Sequence, residues 1–220
     1  MSRRLSLNPD WLLCLFLMVC SACSHEGLRN GDLVFVGIPA DYRISGSMSD
    51  AIGDATGVGA PLNIIHAAIL EVQGDSVWII DATIKHGVDR HPLDTFLVDF
   101  TLKDGSYPEF IVMRLKDDRD AGRYVENAKQ LVGLKYNCSF IPCDTARYCT
   151  ELIRDSYIKL DGTHIFSEQP MNFLSADGTM PEYWNELFAI LGMPVPQGLP
   201  GTNPRAMMED SHLKRVPVRL

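Results

Sequence analysis

Three residues of this chain have types and placements that suit nucleophilic chemistry: Cys149, His66 and Asp81. Cys149 falls at the start of a helical pattern, three residues before Leu152, which puts it on the inward face. A thiol there meets the positive end of the helix dipole, which favours the nucleophilic thiolate. The same position also suits a small buried hydrophobe, the ordinary role of a free cysteine. His66 interrupts an apolar run, where a histidine is more often a satisfied core residue than a catalyst. Its surroundings shift that balance. With Gly74-Asp75 as a two-residue hairpin loop, Gln73 pairs with Ser76, Ala68 with Asp81 and His66 with Thr83. His66 and Asp81 then project from one face as diagonal neighbours, within reach of each other. A carboxylate so placed holds an imidazole in one tautomer and orientation. A three-residue loop would put Asp81 on the opposite face. Together the three supply a nucleophile, a base and an orienting group. His66 takes the Cys149 proton, the thiolate attacks a carbonyl carbon, and water hydrolyses the acyl-enzyme. The Cys149 backbone N–H is one donor for the oxyanion.

Other candidates carry less. His86 and His91 flank Asp89, but no compact ligand set completes a metal site, and both read as surface histidines. His164 and His212 read as exposed. The spacing of Cys138, Cys143 and Cys149 does not match a zinc knuckle, and no glycine-rich phosphate loop is present. Neither a metal nor an organic cofactor is expected.

These residues must be positioned by a folded domain. The chain has 220 residues, 46% of them hydrophobic, enough for one domain with a real core. A formal net charge of -8 argues against a nucleic-acid partner, which needs a basic face. Gly31–Val36 reads as a turn and a strand. Ser47–Ala55 reads as a short helix capped by Ser47 or Ser49. The apolar runs Ile64–Val72 and Val77–Ala82 read as buried strands joined by the hairpin. Lys85–Leu93 reads as a short strand and turn, and Glu109–Leu115 as another strand. Apolar residues at helical spacing over Asp118–Val132 mark the clearest helix, stopped by Gly133. The Cys149 helix runs from about Tyr148 to Ile158, and a further helix spans Glu182–Leu191. Gly192–Gly201, rich in Pro and Gly, is expected to wrap the surface without regular structure. The fold class is α+β: a mostly antiparallel sheet packed on helices.

The first residues read as an export signal. Arg3 and Arg4 precede the apolar run Trp11–Val19, too short to span a bilayer and right for a signal peptide. Ser21-Ala22-Cys23 resembles a bacterial lipoprotein box, with Cys20 where that pattern usually has Leu. Residues 1–22 are thus expected to be removed, Cys23 to be lipidated, residues 23–30 to form a tether and 31–220 the domain. Ordinary cleavage without lipid is the alternative. Of the three cysteines left in the domain, Cys138 and Cys143 are the pair that would bridge in an oxidising compartment, leaving Cys149 free; equally, both are reduced loop cysteines.

Five segments in order carry a family resemblance: Gly31-Asp32-Leu33-Val34-Phe35, Ile65-His66-Ala67-Ala68-Ile69, Asp81-Ala82-Thr83, Gly133-Leu134-Lys135-Tyr136-Asn137 and Tyr148-Cys149-Thr150-Glu151-Leu152. The chain resembles the circularly permuted NlpC-type papain-like hydrolases, the YiiX/YebB-like group, in which the His strand precedes the Cys helix. The resemblance covers about residues 29–158, and Gly201-Thr202-Asn203-Pro204 is similar to a tail motif of exported members. It implies Cys149 as nucleophile, His66 as base and Asp81 as third polar residue, where relatives often carry Glu. It implies that Tyr148 lines the site, and it matches Tyr136 to a Gly-x-x-Tyr feature beside the substrate or purely structural. Asn137 stands where relatives tend to have Asp.

The expected protein is therefore a lipid-anchored cysteine hydrolase facing the periplasm or cell exterior. It would cleave an amide or ester of a cell-wall peptide or of an acylated, lipid-like molecule. A polar groove would favour the first substrate and a deep apolar pocket the second. A ligand-binding lipoprotein that lost activity, or an acyltransferase, are the alternatives.

Overall fold

The computed structural model describes residues 27–57 and 59–220. The signal-peptide and lipid-box residues, Cys23 among them, lie outside the described residues. Among the described residues no helix is long and apolar enough to cross a membrane.

In chain order the elements are β1 (Leu33–Pro39), α1 (Met48–Thr56), β2 (Leu62–Gln73), β3 (Ser76–Thr83), β4 (Gly87–Pro92), α2 (Leu93–Asp99), β5 (Glu109–Leu115) and α3 (Ala121–Gln130). Then come β6 (Lys135–Tyr136), β7 (Ala146–Arg147), α4 (Cys149–Ser156), β8 (Gln169–Pro170), α5 (Glu182–Leu191), β9 (Pro200–Gly201), α6 (Pro204–Met208) and β10 (Leu213–Arg215). Six strands form one antiparallel sheet in the order β10-β5-β1-β2-β3-β4. The α+β architecture is thus as the sequence implies.

Both faces of the sheet are covered, so its central strands are apolar on both sides. One face packs Leu33, Phe35, Ala67, Ile69 and Ile80 against Tyr124 and Val125 of α3 and Leu152 and Ile153 of α4. The other packs Val34, Ala68, Leu70 and Ile79 under Leu93 and Phe96 of α2, with Leu102 and Val216. A third apolar cluster lies beside the sheet. It joins Ala51 of α1, Phe140, Tyr148, Met171 and Phe173 to Trp184 and Phe188 of α5.

Two sequence features resolve into structural supports. The Gly31-Asp32 segment anchors the sheet: buried Arg114 donates through Nε to Asp32 Oδ1 at 2.6 Å and through a terminal nitrogen to Oδ2 at 2.7 Å. Gly31 holds φ +75°, and a Cβ there would come within 2.8 Å of Ala121 Cβ. Glu71, an ionisable residue in the apolar strand β2, is buried yet ion-paired to Arg90 at 2.5 Å and Lys129 at 3.2 Å.

The region after His91 departs from expectation. The strand expected over Lys85–Leu93 ends at Pro92, and Leu93–Asp99, most of it given no element by the sequence, is a helix. Seven residues are too few for a periodic signal, and the packing of Phe96 fixes the turn in place. The C-terminal stretch runs without regular structure from Gly192 to Leu199, then adds β9, α6 and β10 to the body. Cys138 and Cys143 are both free thiols in the structure, so no bridge joins them.

Candidate active site

The hairpin joining β2 and β3 has the two-residue loop Gly74-Asp75, because Gln73 pairs with Ser76 and Ile69 with Ile80. That parity sets Asp81 on the face that carries the His66 ring, and Asp81 Oδ2 lies 2.7 Å from His66 Nε2. The Asp side chain is thus long enough to close the contact. A β-bulge sits at this point: Val36 pairs with His66 but Gly37 with Ile64, so Ile65 is the extra residue. Bulges re-aim side chains next to active sites, and here Ile65 joins the apolar cluster that alternation alone would deny it. Phe100, just past the end of α2, covers the His66 ring with centroids 4.8 Å apart.

Cys149 is the first residue of α4 and is buried. The helix start is held by Glu151, whose Oε2 accepts the Tyr148 N–H at 3.1 Å and the Asn137 Nδ2–H at 3.1 Å. Asn137 also donates to the Ile141 carbonyl at 2.9 Å, tying the loop before Cys149 to the helix. The backbone N–H of Cys149 lies in the first turn, where no intrahelical acceptor exists, so it is available to an oxyanion.

His66 Nε2 faces Asp81, which leaves Nδ1 for the Cys149 thiol. Burial works against a charge on the ring, but the hydrogen bond to Asp81 and the interaction with Cys149 outweigh it and raise the His66 pKa to about 10. The ring therefore holds its proton through the neutral range. The structure thus brings Cys149, His66 and Asp81 together from α4, β2 and β3.

Two cavities meet at Cys149. One is a groove of about 380 Å³ between α1 and the ends of β2 and β3, with Met48, Ile52, Ile65, His66, Ile84 and Phe100 along it and Lys85 and Asp99 at its rim. The other is a slot of about 60 Å³ walled by Phe140, Tyr148, Met171, Phe173 and Trp184 and closed by Gly201 and Thr202. Phe140 takes φ +57°, a left-handed conformation uncommon for a bulky residue, and packs against Tyr148 and Trp184 with centroids 5.2 and 5.6 Å away.

Tyr136 lines both cavities, and its hydroxyl lies 3.8 Å from the Met48 sulfur. Tyr148 lines the slot, where its oxygen accepts the Thr202 N–H at 3.0 Å. Burial pushes its phenol up to about 12, so it stays neutral. Thr202 also meets Thr150 of α4 at 2.8 Å between hydroxyl oxygens. The Gly201-Thr202-Asn203-Pro204 segment is thus the rear wall of the slot.

The histidines divide differently from expectation. His91 is not on the surface: it is 8% exposed, because α2 folds over its strand. His164 is half-buried, with Nδ1 2.9 Å from the Arg154 carbonyl oxygen, whereas His86 and His212 are exposed. Phe96, Phe100 and His91 are the neighbours of the site that sequence reasoning missed. The i, i+4 spacing of the two phenylalanines is a single pair, too little to mark a helix.

A buried thiol at a helix start, an imidazole on a sheet strand and a carboxylate behind it make up the site of a papain-like cysteine hydrolase, in permuted chain order. Residues 27–217 match the family described as the permuted papain-like amidase enzyme, YaeF/YiiX, C92 family, and the chain belongs to that family. It is accordingly a cysteine hydrolase of the amidase type. Among solved structures it is similar to the YiiX protein of Escherichia coli O157:H7, with a TM-score of 0.65, 21% identity, and coverage of 88% of this chain and 98% of that one. No curated protein matches the sequence. The YiiX crystal structure is described as that of a metalloprotein. Among the described residues here, no group of three or more His, Cys, Asp or Glu side chains is arranged to hold a metal ion.

Proposed function

We propose that this protein hydrolyses an amide or ester bond whose acyl part is apolar, through a thioester on Cys149. The observation that carries this reading is the junction at Cys149 of a groove and an apolar slot. The substrate carbonyl sits over the thiol, its acyl chain enters between Phe140, Met171, Phe173 and Trp184, and its leaving group lies in the groove. With the Cys149 proton already resting on His66, the thiolate adds to the carbonyl carbon. The Cys149 N–H donates to the oxyanion. His66 returns the proton to the leaving nitrogen or oxygen as its bond to carbon breaks, and the thioester remains. A water then gives a proton to His66, attacks the thioester and releases the carboxylic acid, restoring the thiol. Asp81 holds the imidazole throughout. Tyr136 and Tyr148 contact the substrate through their rings.

We place the enzyme at the cell envelope, exported by residues 1–22 and held to a membrane by a lipid on Cys23, where acylated molecules are at hand. A cell-wall peptide fits less well, because both cavities are lined mainly by apolar side chains.

The test is a series of acyl p-nitroanilides of growing chain length beside a wall-type peptide anilide, each with the wild-type protein and with Cys149→Ala and His66→Ala. Cleavage that improves from acetyl to longer chains, and falls by about 10³-fold or more in both variants, is the expected result. Faster cleavage of the peptide would replace the acyl substrate with a wall peptide. A Cys149→Ala protein as active as wild type would refute the mechanism. Product analysis with an added amine separates hydrolysis from acyl transfer.

A further inference from the structure

Asp81 is approached by two histidines. It lies on β3, between β2 and β4, and a histidine reaches it diagonally from each neighbour. Its Oδ2 is 2.7 Å from His66 Nε2, and its Oδ1 is 3.4 Å from His91 Nε2. His91 Nε2 is buried and has no hydrogen-bond partner among the described residues. A buried polar atom left unsatisfied is costly, so an orphaned nitrogen 3.4 Å from the Asp81 carboxylate calls for a use.

We propose that His91 is a positioning residue: its Nε2–H restrains the second oxygen of Asp81 and thereby fixes the His66 ring toward Cys149. This rests on the reading of Cys149, His66 and Asp81 given above. A carboxylate held through one oxygen can swing about its Cβ–Cγ bond, and the imidazole would swing with it. Held through both, it presents a fixed acceptor to His66 Nε2. The rest of the surroundings leave His91 to this role. Across the strands, Asp89 pairs with Asp81, but its Oδ1 accepts the Arg90 N–H at 2.8 Å. The Arg90 side chain turns to Glu71 and Trp78. From α2 come Leu93 and Phe96, the latter edge-on to His91 with centroids 6.3 Å apart. On that helix Asp94 is exposed, and Asp99 faces Lys85 and His86.

The experiment needs no substrate. The rate of iodoacetamide alkylation, read at the Cys149 peptide by mass spectrometry, is followed against pH in wild type, His66→Ala, His91→Asn and His91→Gln. An unassisted thiol reacts slowly below its ordinary pKa of about 8.5, whereas one that has passed its proton to an imidazole still reacts there. Wild type is expected to react well near pH 6 and His66→Ala poorly. His91→Asn keeps a polar side chain too short to reach Asp81 and slows the reaction there by about tenfold, the size of one lost hydrogen bond. His91→Gln returns the donor and restores the rate. A folded His91→Asn protein with the wild-type profile overturns the proposal alone, as does an equal loss in His91→Asn and His91→Gln. A wild-type profile matching that of His66→Ala overturns the ion-pair reading and this inference with it.

Discussion

His66 keeps its proton far into the alkaline range because Asp81 and Cys149 together outweigh the cost of burying a charge. The sign of the resulting pH dependence follows from the role of that proton. In the proposed reaction protonated His66 is the acid that frees the leaving group, so kcat/KM is expected to hold through neutral pH and to fall as pH rises through about 10. Asp81→Asn removes the carboxylate that favours the imidazolium. It should move this descending limb to lower pH and cut kcat by about 10²–10⁴-fold, as a pH-rate profile on a cleaved anilide would show.

At the scale of elements, each part of the site depends on one local device. The two-residue hairpin loop sets the parity that turns Asp81 toward His66. The bulge at Ile65 aims the histidine. Glu151 and Asn137 fix the start of α4, and β9 seals the slot by bringing Gly201 against Met171. A Cβ at Gly201 would come within 2.4 Å of the Met171 sulfur and 3.1 Å of the Tyr148 oxygen. Gly201→Val should therefore drive Met171 into the slot. The expected outcome is a preference shifted to shorter acyl chains, with KM for the longest raised about tenfold and little change for acetyl, measured on the anilide series.

For the whole molecule, the chain after the irregular Gly192–Leu199 stretch returns several side chains to the core. Met207 and Leu213 enter the cluster under α3 and α4, Val216 enters the one under α2, and β10 extends the sheet beside β5. Burial of such side chains contributes about 1.5–3 kcal/mol each, against a total stability of about 5–15 kcal/mol. A chain ending at Leu199 should fail to unfold cooperatively in urea by circular dichroism. A sharp transition like that of the full chain would mean that the segment is only a cover.

The sequence by itself determined what depends on neighbouring residues. The Gly-Asp pair between two apolar runs pointed to a two-residue loop with Asp81 on the face of His66, and the strand register has that loop. The periodicity after Tyr148 fixed that a helix starts at Cys149, and the order of the segments fixed the permuted family. Only the tertiary structure decided what depends on elements far apart in the chain. Nothing local to His91 showed that α2 would bury it, since a seven-residue helix is held by contacts rather than by its own propensity. Nor did the tail show that Thr202 would bond to Tyr148, 54 residues earlier, and so shape an apolar slot beside the thiol. Local spacing is written in the chain, whereas a cavity exists only where separate segments fail to fill the space between them.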